Sequence, residues 1–68
     1  MKNGAAYRIT VRGTVSDRLA SAFDGVRVEP ARNSTVLVAT LQDQAELYGL
    51  LLRLRDFGLE LVGLEVRE

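Results

Sequence analysis

Apolar and polar positions along this chain switch between two periods, and the switches mark out six elements. Tyr7 to Arg12 alternates, with Tyr7, Ile9 and Val11 on one face and Arg8, Thr10 and Arg12 on the other. Period two with one polar face predicts a half-buried antiparallel strand, ended by Gly13. Val15, Leu19, Ala22 and Phe23 then recur at helical spacing. Thr14 or Ser16 caps a helix of about two and a half turns, and Gly25 stops it. Val26 to Glu29 alternates again, with Val26 and Val28 inward; Pro30 has no amide to donate and places this strand on a sheet edge. Ala31 to Ser34 is the hairpin loop, with Asn33 at positive φ. Thr35 to Leu41, TVLVATL, is apolar on both faces and belongs in the middle of a sheet.

The best-bounded stretch is Asp43 to Gly58, DQAELYGLLLRLRDFG. Asp43 is the expected N-cap and Glu46 the reciprocal member of a capping box. Gly58 supplies the left-handed residue that ends a helix. At about 100° per residue, Phe57, Leu50, Leu54, Leu47 and Leu51 share one arc facing a core. A second apolar group, Ala45, Tyr48 and Leu52, lies outside that arc. Beyond the helix, Leu59 and Leu61 are out of phase with Val62, Leu64 and Val66. Gly63 lies close to this change of phase; Leu59 to Leu61 is expected to turn back onto the helix, with or without a bulge, and Val62 to Arg67 to form the strand.

The order strand, helix, strand, strand, helix, strand predicts one α+β domain over residues 1–68, with residues 1–6 a flexible tail. Its two halves interleave into a ferredoxin-like βαββαβ sandwich: a four-stranded antiparallel sheet of order 4-1-3-2 with both helices on one face. The expected core is Tyr7, Ile9, Val11, Leu19, Phe23, Val26, Val28, Leu47, Leu50, Leu54, Phe57, Val62, Leu64 and Val66, with one face of the third strand.

Composition narrows the chemistry more than it names it. The 68 residues hold no cysteine and no histidine, which removes disulfides and the best zinc ligands. Nine basic residues balance nine acidic ones, against the basic footprint that nucleic-acid binding needs. No apolar run approaches the ~20 residues that span a bilayer, and the opening MKNGAAY lacks a secretory apolar stretch. A cytoplasmic protein without membrane contact is the expectation. Asp17, Asp24, Asp43 and Asp56 lie near helix ends, where capping and surface charge account for them, so no metal is expected. Ser16, Ser21 and Ser34 occupy cap, helix-surface and turn positions. No pairing of nucleophile with base emerges, so neither an enzyme nor a cofactor is expected.

The segments Tyr7-x-Ile9-x-Val11-x-Gly13 and Asp43-Gln44-Ala45-x-Leu47-x-Gly49-Leu50-Leu51-x-Arg53-Leu54-Arg55-Asp56-x-Gly58-Leu59 resemble those of small stand-alone ferredoxin-like bacterial proteins of unassigned role. The element order is also similar to that of ACT-type regulatory domains. That resemblance implies amino-acid binding at a domain interface, here near Gly13, Thr14, Ser16 and Asp17, where Gly13-Thr14-Val15-Ser16-Asp17 replaces the Asp-x-Pro-Gly usual in that family.

The open face of the predicted sheet carries Arg8, Thr10, Arg12, Glu65 and Arg67 beside the outer residues of the third strand, taken as Leu37 and Ala39. It has no aromatic residue to stack a base, which argues further against RNA. A face half charged and half apolar suits self-association, and the Tyr48/Leu52 flank of the second helix is the competing surface. A small domain without disulfide or metal gains from burying such surface against a second copy. The reading is therefore a non-enzymatic homo-oligomer that serves as an assembly or protein-interaction domain, with an ACT-like ligand module as the alternative.

Overall fold

The computed structural model describes residues 4–23 and 25–67, so the expectations resting on Met1 to Asn3 and on Asp24 fall outside the described residues. The elements are β1 (Ala5–Arg12), α1 (Asp17–Ala20), β2 (Val26–Ala31), β3 (Ser34–Leu41), α2 (Gln44–Asp56) and β4 (Leu61–Arg67). The four strands form one antiparallel sheet of order β2-β3-β1-β4; counted from the β4 edge, the order is 4-1-3-2. The chain is thus a small α+β protein with an open four-stranded sheet and two helices.

Register follows from the alternation in β1. Ile9 lies opposite Leu37 on one side and Leu64 on the other, so these three share a face. Ile9, Val11, Leu37 and Ala39 meet Leu47, Leu50 and Leu54 of α2, together with Val15 and Phe23 from the α1 region, in a single cluster. Both helical segments therefore cover the same side of the sheet. Burying aliphatic side chains at ~1.5–3 kcal/mol each makes this cluster the principal source of stability.

Several boundaries move. Ala5 and Ala6, expected in the tail, pair with Leu41 and Thr40 as the start of β1. Gly4 lies so close to Leu41 that an added Cβ would stand 2.8 Å from its carbonyl oxygen. β2 continues through Pro30 and Ala31, and its edge position leaves the missing proline amide without a ladder partner to lose. Asn33 takes φ 58° in the two-residue turn between Ala31 and Ser34. A bulge, left open by the sequence, is present: β1 steps from Thr10 to Val11 while β4 steps from Gly63 to Leu61.

The first helix is much shorter than its periodicity suggests. Ser16 caps it by accepting from the Leu19 amide, but regular helix ends at Ala20. The Ser21 hydroxyl donates to the Arg18 carbonyl (2.8 Å), the acceptor that the Ala22 amide would use in a continuing helix. Ala22 and Phe23 instead donate three residues back, to Leu19 and Ala20, and these tighter turns deliver Phe23 to the core.

α2 begins and ends as its sequence suggests, with one change. Asp43 accepts from the Glu46 amide (2.9 Å), but the Glu46 carboxylate accepts from the amide of Gln42 (2.6 Å), not from that of Asp43. At the other end, Gly58 at φ 82° donates to Arg55, and Leu59 donates to Leu54. This pair of bonds satisfies the last carbonyls and brings Leu59 back onto the core.

Four residues expected in the core are exposed. Phe57, the C-cap of α2, still donates to Arg53 four residues back, but it lies at the edge of the core arc on the α1 side, where it meets Phe23 edge-on with ring centroids 5.5 Å apart. Val62, Leu64 and Val66 lie on the outermost strand, while α2 packs closest to β3.

Candidate functional site

Three regions carry the residues that sequence reasoning singled out. The first is the open face of the sheet. Arg8, Thr10 and Arg12 of β1 are joined there by Glu65 and Arg67 of β4, since Arg8 pairs with Glu65 and Ala6 with Arg67 in register. Leu37 and Ala39 are not on this face. They are 0% and 3% exposed, in the core opposite Ile9 and Tyr7. β3 is apolar on both sides, so its own pattern leaves its phase ambiguous, and only the pairing with β1 resolves it. Val36 and Val38 take the outer positions, opposite Thr10 and Arg8.

These valines do not form an open apolar patch. The Arg8 guanidinium reaches Glu29 on β2 (3.8 Å) and Glu65 on β4 (3.6 Å). The bond to Glu29 spans β3 diagonally, between the rows of Val36 and Val38. Arg27 adds a second contact to Glu29 at 3.0 Å, and Arg12 pairs with Glu60 at 3.0 Å. Val36 is buried although no helix lies on its side of the sheet. Exposed ion pairs of this kind contribute ~0–1 kcal/mol each. Their larger effect is to cover this face with self-neutralised charge.

The second region is the turn between β1 and α1. Thr14 and Asp17 line a cleft of about 270 Å³ with Val15, Ala20, Val28, Pro30 and Thr35. Gly13 and Ser16 do not line it; Gly13 takes φ 87° as the strand ends, and Ser16 caps α1. At the base of the turn, the Thr35 hydroxyl donates to the Gly13 carbonyl (2.8 Å) and accepts from the Val15 amide (3.2 Å). Thr35 is 2% exposed and fully satisfied, so this side chain closes the turn and leaves no donor for a ligand. Its role was missed in the sequence because a threonine in an apolar strand has no local signature.

The third region is the flank of α2 and the β4 edge. Arg53 donates to the Ala22 carbonyl (2.7 Å) and its guanidinium lies 5.0 Å from the Phe23 ring centroid. Arg53 and Phe57 therefore mark the side of α2 that faces α1. Tyr48 projects on the opposite flank at 100° per residue, with Leu52 next to it. Both are more than half exposed. At 100° per residue Leu52 lies about 165° from the centre of the buried Leu47/Leu50/Leu54 stripe and Tyr48 about 125°, so both face away from the sheet. Leu64 (45% exposed) and Val66 (52%) project toward the helix layer from β4, opposite Ile9 and Tyr7, and Leu61 is exposed at the same strand's start. Sequence reasoning named Tyr48 and Leu52 here; it missed β4 because an outermost strand carries the same alternation as a covered one.

Among the described residues, no three carboxylates come together as a metal site, and no helix is long and apolar enough to cross a membrane. Residues 6–65 match a family model described as a domain of unknown function, DUF8691. The chain belongs to that family. Its description names neither a ferredoxin-like nor an ACT domain. No curated protein and no solved structure matches the chain at a significant level.

Proposed function

We propose that this chain is a non-enzymatic assembly domain of ferredoxin-like architecture that functions as a homo-oligomer. The observation that carries the reading is the exposure of Leu61, Val62, Leu64 and Val66 on β4, with Tyr48 and Leu52 exposed on the outer side of α2. Each keeps about half of its surface in water, and the four on β4 form a row of roughly 300 Å², as large as the largest apolar patch of many monomers. The small core favours the same conclusion, because a domain of this length buries only ~60% of its unfolded surface by itself. Sedimentation velocity across the micromolar range tests the reading. A mass above that of one chain is expected, and a monomer at every concentration refutes it.

The cleft beside Thr14 and Asp17 supports a second reading, an ACT-like module for a small ligand. It has one carboxylate at its mouth and apolar walls, which suits a small cationic or amino-bearing compound. Thermal melts against amino acids distinguish the two: stabilisation that rises with ligand concentration supports the module. Melts unmoved by any amino acid leave the assembly reading alone.

A further inference from the structure

We infer that the partner is a second copy of this chain, joined antiparallel along β4 so that two four-stranded sheets become one of eight strands. This rests on the homo-oligomer reading above and specifies its interface. The backbone geometry supports it first. Arg12 donates its amide to Glu60 (2.9 Å), whereas Gly13, one residue on, donates to Asn33 on the other side. Backbone groups alternate in direction along a strand, so Arg8 and Thr10 also face β4 and are met there by Glu65 and Gly63. Leu64 and Val66 lie between these positions, so their N–H and C=O groups point to the free edge. A free edge with alternate donors and acceptors is a template for another strand.

The side chains of those same two residues make the edge self-complementary. A two-fold axis through Leu64 places Leu64 against its counterpart and Val66 against Val62 of the second copy. Both apolar rows then lie on the helix side of the joined sheet. Glu65 falls opposite Gly63 of the second copy, where the missing side chain leaves room for it. Net charge is zero, so two copies meet without overall repulsion. The four β4 side chains bring apolar surface of order 600 Å² for the pair and the new ladder adds backbone to it, the size class of weak, concentration-dependent contacts. The opposite sheet edge is unsuited to this pairing, because Pro30 in β2 carries no amide.

Amide hydrogen exchange on the wild-type chain, measured at low and high concentration, reads the interface directly. The Leu64 and Val66 amides should slow by roughly tenfold or more as the concentration rises, while the amides of Gly63 and Glu65, already bonded to β1, change far less. A second test uses Leu64→Lys, which places charge on the edge without removing an intrachain backbone bond. It should sediment as a folded monomer, whereas Thr10→Arg on the open face should remain dimeric. An oligomeric wild type with fast exchange at both amides overturns β4 pairing and leaves self-association standing. Dissociation by Thr10→Arg but not by Leu64→Lys does the same, in favour of the open face. A wild-type monomer at all concentrations overturns both. Should Leu64→Lys fail to fold, the exchange experiment still decides.

Discussion

Replacing Thr35 by valine removes one oxygen and keeps the shape, which makes it the sharpest probe of how the β1–α1 turn is held. The hydroxyl is buried and makes two bonds, accepting from Val15 and donating to Gly13. In the valine variant the Val15 amide has lost its acceptor at a buried position, a loss of ~1–3 kcal/mol. The Gly13 carbonyl is only part-buried and regains water, so its share is smaller. The net expectation is a loss of about 2 kcal/mol, which in a domain of this length lowers the melting temperature by roughly 8–16 °C. Thr35→Ser keeps both bonds and loses a methyl group, for ~1 kcal/mol. Urea and thermal melts followed by circular dichroism should therefore order the stabilities as wild type, then serine, then valine. If burial of apolar surface governed the site, valine would equal or exceed the wild type. That order would refute the account of the turn.

Three further substitutions test the rest of the fold. Leu54→Ala, at a position 3% exposed, should cost ~2–5 kcal/mol by urea titration, and Arg53→Ala should cost a measurable ~1–2 kcal/mol through its bond to Ala22 and its stacking on Phe23; equal midpoints for the two would show that the helix phase is wrong. Gly58→Val should destabilise by at least ~1 kcal/mol although nothing beyond its chain neighbours lies within 4 Å of the added Cβ, because φ 82° resists a β-branched residue; an unchanged melt would place the helix end elsewhere. Gly49 is exposed within α2, has open space around its Cβ position and does not adopt positive φ, so Gly49→Ala should raise stability by ~0.5–1 kcal/mol; a lower melting temperature would mean that the flank needs a bare backbone there.

What could be read from the residues alone divides along the range of the interactions. The ends of α2 were legible because Asp43 and Gly58 act on amides and carbonyls within one turn. The positive φ of Asn33 and the change of phase beside Gly63 were legible for the same local reason. The length of α1 was not, since the Ser21 hydroxyl and the tightening toward Phe23 compete with a helical pattern that also looks sound. Phase failed in β3, where every second position offered an apolar choice, and Leu37 and Ala39 were placed outward although they are core. Exposure failed in β4, where period-two alternation is equally compatible with a covered and an uncovered face. Among the candidate interface residues, Tyr48 and Leu52 rest on helix geometry alone, and the structure leaves them exposed on α2.

The central position of β1 has a consequence for synthesis. It is the first strand made, yet Ile9 must wait for Leu37 on one side and Leu64 on the other. The β2–β3 hairpin, joined by a two-residue turn, closes within ~1–10 μs of being available. β1 can join it once β3 has emerged, but the other margin of β1 stays bare until β4 follows. At ~5–20 residues per second, translation from Leu41 to Arg67 takes roughly one to five seconds, far longer than any step of hairpin formation. While β4 is still missing, a nascent chain presents Ile9 and Val11 on a strand with one unpaired margin, which leaves that margin open to mispairing.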